Sequence, residues 1–546
     1  MEKDKKSKII ESLCIFLFFT IFITILNLSI NSLNYDIMWC FHLSQKVANG
    51  YKMYSEISTV VTPIYFWIGG LFIKLFGNAI TSMCIYAGVV QGVIATTIYN
   101  ITKEVIKKEN PYIIPLCLFF LLQYTSTLCL TNYNSTAMMW ILIAVYVEII
   151  REKRNNPKFN YLIGILLGLA FFTKQNIGAF GVIATGIISI VNNLYYKKQN
   201  PMKEIIQKAT AFLGVTFVML IYFLASGTFM NFVDFCIGGL LEFGDKNLSF
   251  GIPVAYVGLF VVALLGFAFS FDENKDVYFF IMTIYMLGMS TIIYPLTNTY
   301  HAVLGMLMTL PIMIKIAEKV INIDWFYNIF VAVIAFWCRF SSASFDTIFP
   351  KETELLYSES NELSGLIIFS IYLLIYIALA ISIIKQKPTI YKNVVMYGII
   401  LVLLTNAYFY IDNLRKEDIP EKLSIYANHG YTEKQINYIN NVVSYILQKE
   451  EEGYNVYVVS ADASYYMAAL NRNNYKYDLT LYGSLGYKGE ERLIEETSKL
   501  ENALIIKDAY VMFQEPIKFD EFIKNNYEVV DKIENLVVYG ERNIDF

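Results

Sequence analysis

The sequence predicts a polytopic α-helical membrane protein with a C-terminal, extracytoplasmic α/β domain. Three observations carry that reading. Of 546 residues, 56% are hydrophobic and only 16% charged, against roughly a quarter charged in an ordinary soluble domain. Mean hydropathy is +0.46. Apolar runs of the roughly 20 residues that a bilayer demands recur from residue 9 to about residue 411 and then stop.

The first run, IIESLCIFLFFTIFITILNLSI, follows a basic MEKDKKSK. It is too long for a signal-peptide core and lacks a small-residue cleavage site, so it reads as a retained span. Lys3, Lys5, Lys6 and Lys8 place the N-terminus inside by the positive-inside rule. Residues 31–62 are then outside, while the basic stretches 151–160 and 195–208 are inside. Loop 227–250, with Asp234, Glu242 and Asp245, is outside. By alternation FDENKD (271–276) is inside and 294–301 outside, 315–319 inside, the acidic 339–363 outside and 385–392 inside. Four apolar segments fit between residues 63 and 150, but parity requires an odd number. The expectation is three spans plus one short or re-entrant piece, and roughly thirteen spans in all. The seven cysteines include no CxxC pair and read as buried structural thiols.

The membrane part is expected over 1–411, and 412–546 is a different kind of sequence, placed outside. TEKQINYINNVVSYILQKEEE (432–452) has the apolar spacing of an amphipathic helix. VYVVS (456–460) and ALIIK (503–507) read as buried strands, with helices around 489–500 and 518–526 between and after them. NYEVVDKI and NLVVYGE close the chain as two more strands. That alternation suggests a small α/β domain. An outer domain without disulfides suits a bacterial cell membrane with little oxidative folding.

Four places could carry chemistry. NSLNYDIMW (31–39) puts Asp36 just beyond the first span. In the IMWCFHLSQKVANG that follows, Cys40, Leu43 and Val47 share one helical face and Gly50 is a C-terminal stop. A half-polar helix of this length lies in the interface rather than crossing it. Asp36 and Glu56 then flank that helix, either as solvated loop acids or as working carboxylates. Lys174 interrupts GLAFFTKQNIGAF (168–180). The 161–173 segment before it reaches only about 20 Å, which leaves Lys174 below the outer surface. It either binds an anion there or snorkels from a helix end. His301 opens a span in YPLTNTYH, as a structural or a binding residue, and Arg339 ends one in WCRF, where an anchor is the simpler role. There is no Walker A, GxGxxG or DxD pattern, no zinc-type cluster and no nucleic-acid footprint. Nucleotide use, a dedicated metal and a cofactor therefore have no sequence support.

The outer-loop block resembles the membrane-embedded glycosyltransferases of the GT-C superfamily. The likeness is to the bacterial branch related to protein O-mannosyltransferases and the lipid A aminoarabinose transferase. NYDIMW, ANGYKMYSE and TPIYFWIGGLFIKLFG form one ordered block. GLAFFTKQNIG looks like the family's lysine-containing helix break, and YPLTNTYH like its outer-loop histidine segment. The resemblance implies a sugar donor on a polyprenyl phosphate and attack that inverts the anomeric carbon. It implies Asp36 as catalytic base and Glu56, Lys174, Gln175 and His301 as substrate-binding groups. The partners implied are membrane lipid, the lipid-linked donor, and a glycan, lipid or protein acceptor. Where relatives often carry a charged residue and two prolines, this chain has Val61, Thr62, Pro63 and Ile64. A phosphate-contacting lysine before the proline is thus missing, and Lys174 gains weight. The rival readings are a transporter or flippase of a lipid-linked saccharide, and a catalytically silent surface-assembly protein. A transporter of that kind favours internal repeats and midplane charges, and the sequence shows no repeat.

Overall fold

The computed structural model describes residues 2–29, 35–106, 133–196, 201–247, 254–271, 276–290, 307–321, 404, 411, 419–431, 433–474, 477–508 and 516–541. His301, Arg339, the segment 107–132 and most of 322–418 lie outside the described residues, and so do the expectations that fall on them.

The chain runs through α1 (Glu2–Ser29), α2 (Tyr35–Ala48), α3 (Ile64–Phe76), α4 (Ala79–Val105) and α5 (Tyr133–Arg154). It continues through α6 (Phe159–Phe171), α7 (Gln175–Leu194) and α8 (Pro201–Ala225). Short helical pieces span Phe229–Asn247, followed by α9 (Val254–Ser270), α10 (Val277–Ser290) and α11 (Thr309–Val320). The tail carries α12 (Glu433–Glu451), β1 (Asn455–Val459), α13 (Ala463–Leu470), α14 (Gly489–Thr497), β2 (Ala503–Asp508), α15 (Ile517–Asn526), β3 (Tyr527–Ile533) and β4 (Leu536–Glu541). Five helices among the described residues are long and apolar enough to cross a bilayer: α4, α5, α7, α8 and residues Lys6–Leu28 of α1. On α8 the side chains of Leu213, Phe217, Val218, Ile221 and Leu224 are exposed. So continuous an apolar face cannot meet water, and its solvent is lipid. Cys14 is likewise exposed on α1, contrary to the expectation of a buried thiol. Little of α1 is buried, and a thiol costs nothing against lipid.

The chain divides into two compact units. The first comprises 1–32, 84–218 and 250–412. Its centre is the set α5, α6 and α7. Gly164 and Gly168 bring α6 onto α8: a Cβ on Gly164 would stand 2.1 Å from the Lys208 carbonyl oxygen, and one on Gly168 2.8 Å from Val215 Cβ. Small residues four apart are the usual device for close helix approach in a membrane. Where α5, α7 and α8 end or begin, Glu148, Arg151, Glu152, Glu204 and Lys208 form a buried charge network.

The second unit comprises 33–83, 219–249 and 413–546. Its sheet has the order β1-β2-β4-β3. β1 and β2 are parallel, and β2/β4 and β4/β3 are antiparallel. The parallel pair requires a crossover, supplied by α13, α14 and the turns between them. β2 is buried along all six residues, as ALIIK predicts for a central strand. The helix expected over 432–452 is α12, and the two closing strands are β3 and β4.

Candidate active site

In the second unit, α2 begins at Tyr35 and carries Asp36 in its first turn. The expectation of a helix with one apolar face is corrected here. Every residue from Ile37 to Ser44 is buried, and so is Lys46. One flank lies on α3, where Gly69 and Gly70 make room: a Cβ there would stand 2.6 Å from Ser44 Oγ and 2.9 Å from Val47 Cγ1. Trp39 meets Phe66 edge-on at 6.2 Å. Another flank meets α13, with Asn49 Nδ2 donating to Asn471 Oδ1 at 2.7 Å. A helix enclosed in this way need not be amphipathic, which explains why the periodicity of 37–50 misleads.

His42, Ser44 and Lys46, which make α2 look like a surface helix, are instead buried. Lys46 is 2% exposed. Its Nζ donates to both carboxylate oxygens of Asp478, at 2.6 and 2.8 Å, and to the Glu56 carbonyl oxygen at 2.9 Å. Asp478 also accepts from the Ser58 amide at 3.3 Å, and its own amide donates to Ser58 Oγ at 3.1 Å. Burial pulls the Lys46 ammonium below the ordinary lysine range, and Asp478 opposes the shift. One turn earlier, His42 Nε2 stands 4.0 Å from Asp478 Oδ1. Neither ring nitrogen makes a hydrogen bond of good geometry. Burial lowers its pKa to about 4, so the imidazole is neutral at pH 7 beside the charged pair.

The loop after α2 is held by its own backbone. Tyr54 is buried in the left-handed region, at φ 68°, and its hydroxyl donates to the Val61 carbonyl at 3.0 Å. Its ring sits among Phe223, Phe232 and Phe235. Glu56, predicted as a substrate group, is exposed, and its carboxylate accepts from the Lys52 amide at 2.7 Å. That bond closes the turn.

In the first unit, the break between α6 and α7 falls at Lys174, as the thirteen-residue α6 requires. Lys174 is extended (φ −154°, ψ 118°) and occupies the N-cap of α7. Gly178 permits the tight return: a Cβ there would be 2.2 Å from Phe171 Cα. The Lys174 Nζ donates to Asn134 Oδ1 and lies 5.1 Å from the Tyr133 ring centroid. Gln175 and Asn176 open α7, both half-buried. A lysine at the start of a twenty-residue helix adds a full charge to the partial positive charge of the helix N-terminus. Such a place favours phosphate. Among the described residues no group of acids, histidines and cysteines could hold a metal ion.

Sequence reasoning missed Lys46, His42 and Asp478. Lys46 lies one turn after His42 on the same face, which is a weak local signal. Asp478 is 432 residues further on, and nothing local marks it.

With this geometry in place, comparison with known proteins adds the following. The family model for dolichyl-phosphate-mannose-protein mannosyltransferase (PMT_2) matches residues 60–229. That range includes Lys174 and Gln175 and leaves out Asp36, Glu56 and His301. No curated protein matches the chain. The crystal structure of ArnT from Cupriavidus metallidurans in the apo state aligns with a TM-score of 0.57 at 10% identity, covering 96% of this chain and 97% of that one. The chain shares its fold with ArnT. The same protein bound to undecaprenyl phosphate aligns with a TM-score of 0.55, again at 10% identity with 96% and 97% coverage. The resemblance to the GT-C superfamily is thereby borne out, and so is the reading of a polytopic membrane protein.

Proposed function

We propose that this chain is a membrane glycosyltransferase that takes a sugar from a polyprenyl-phosphate donor and passes it to an acceptor hydroxyl on the outer face of a bacterial plasma membrane. The observation that carries the reading is the match of residues 60–229 to a lipid-phosphate-dependent mannosyltransferase family, within a fold shared end to end with ArnT. A relative of that fold binds undecaprenyl phosphate, which supports a lipid-phosphate donor here.

The chemistry needs two kinds of group. The acceptor hydroxyl is a poor nucleophile, and a carboxylate that takes its proton helps. We assign that role to Asp36. The acceptor oxygen attacks the anomeric carbon as the bond from that carbon to the phosphate oxygen breaks, and the configuration inverts. The electron pair leaves on the lipid phosphate, which gains negative charge. Fixed positive charge stabilises that charge best in a low-dielectric site. Lys174 and the first amides of α7 supply it in this reading, with Gln175 beside them. His301 retains its proposed role as a substrate contact, and Glu56 shapes the loop by closing its turn. In this reading residues 412–546 also lie on the outer face.

The test supplies purified protein with a polyprenyl-phosphate sugar and cell-envelope acceptors and follows loss of donor. Wild type consumes the donor, whereas Asp36→Asn slows turnover by about 100-fold or more, the range of a general base. Equal rates in the two proteins remove Asp36 as base. If no donor is consumed but a lipid-linked saccharide crosses the bilayer of loaded vesicles, the chain is a flippase.

A further inference from the structure

We propose that the tail segment 477–492 is a positioning element of the transferase site, which fixes α2, the helix that opens with Asp36, by seating Asp478 on Lys46. The proposal rests on the reading of Asp36 as base.

Asp36 and Lys46 belong to one unbroken helix. Ten residues separate them, or about 15 Å along the axis. A helix is stiff over that length, so holding the Lys46 end sets where the Asp36 end points. The hold is complete in hydrogen-bond terms. All three Lys46 donors are used, on Asp478 Oδ1, Asp478 Oδ2 and the Glu56 carbonyl. Asp478 is tied in turn to both the amide and the hydroxyl of Ser58. The aspartate thus joins α2 to the loop behind it, and both to the tail.

The same segment is anchored at its far end. Arg492 donates to Asp234 Oδ2 at 2.8 Å, the Tyr487 amide to Asp234 Oδ1 at 3.1 Å, and the Lys488 amide to Glu242 at 2.8 Å. Glycines allow this approach. A Cβ on Gly239 would stand 2.8 Å from the Gly483 carbonyl oxygen, and one on Gly486, at φ +77°, 2.8 Å from Asp234 Oδ2. Segment 477–492 therefore spans from the first outer loop to the 234–247 segment and is fixed to both. Removing the Asp478 charge leaves a buried ammonium without a counter-charge, and α2 must shift to bring Lys46 toward water. Displacement of a reacting group by about 1 Å is worth about 100-fold in rate.

The experiment measures donor kcat and KM, and amide hydrogen exchange of residues 35–48, in the full-length membrane protein with Asp478→Asn. A kcat lower by about 100-fold, a donor KM within about twofold and faster exchange across 35–48 support positioning. Unchanged kcat despite faster exchange overturns it, because α2 then needs no hold. A raised KM at unchanged kcat also overturns it, by making the segment part of substrate binding. If Asp478→Asn yields no folded protein, Ser58→Ala is read the same way. It removes one hydrogen bond to Asp478, and a kcat reduced by about three- to tenfold is expected. Should Asp36→Asn turn over like wild type, the base reading fails alone. The Asp478→Asn kcat and the exchange data still decide whether the tail positions the group that α2 presents.

Discussion

Around Arg151, two cations share three carboxylates; on α2, Lys46 meets Asp478 and no second acid is within ion-pair distance among the described residues. The two clusters are equally buried but differ in redundancy. Lys208 donates to Glu148 at 2.8 Å, to Glu204 at 2.7 Å and to Ser189 at 3.1 Å. Arg151 meets Glu148 at 2.8 Å, Glu204 at 2.9 Å and also Glu152. With Arg151 and Lys208 against Glu148, Glu152 and Glu204, the formal charge is −1, so the loss of one acid leaves a balanced set. The loss of either member of the Lys46–Asp478 pair leaves a bare charge. A buried network tolerates editing, whereas a buried pair acts as a single point of control.

Three measurements can break or sharpen this contrast. The largest expected effect is Lys46→Met, which fills the space and strands Asp478. It should lower unfolding free energy by about 3–5 kcal/mol, read as a large drop in Tm in detergent. A change near zero would mean that α2 relaxes freely, and the contrast would fail. Next is pH. Burial holds His42 and His429 down to about 4, against an ordinary 6.5. With the folded value below the unfolded one, the unfolded chain binds the proton first. Stability is therefore full above pH 6.5 and is lost as pH falls toward 4, by about 2 kcal/mol per histidine at pH 5. His42→Gln should remove the share that belongs to the pair, flattening Tm between pH 7 and pH 5. The Arg151 network holds no histidine among its named members and contributes no such slope. The smallest effect is Glu152→Gln, which neutralises the surplus charge and still accepts from Asn192 Nδ2. It should change stability by about 1 kcal/mol or less. A loss comparable to Lys46→Met would show that the network is as brittle as the pair.

The architecture was legible wherever the signal is local. The length of α6 and the break at Lys174 follow from thirteen apolar residues and a lysine, and the tail elements follow from their periodicity. Asp36, Lys174 and Gln175 stand at helix starts, which sequence marks well. What sequence could not reveal is who pairs with whom. His42, Ser44 and Lys46 read as the wet face of an interfacial helix because polar residues face water unless matched. The match for Lys46, Asp478, lies 432 residues further on, and Ser44 Oγ turns back to the Cys40 carbonyl oxygen at 2.9 Å. Arg151 read as one charge in a basic inner loop, although Glu148 before it and the Glu204–Lys208 pair together hold it buried. A carboxylate one turn before an arginine, at the end of an apolar helix, was the available clue.

The distance between Lys46 and Asp478 along the chain also orders the making of the protein. The lysine is synthesised 432 residues before its aspartate. Until Asp478 is made the Lys46 ammonium lacks this counter-charge, and α2 cannot settle between α3 and α13 without stranding it. Closure waits for Asp478. A chain cut short of Asp478 leaves Lys46 without its aspartate and the loop after α2 without the tie through Ser58, so the tail is a condition for closing this unit.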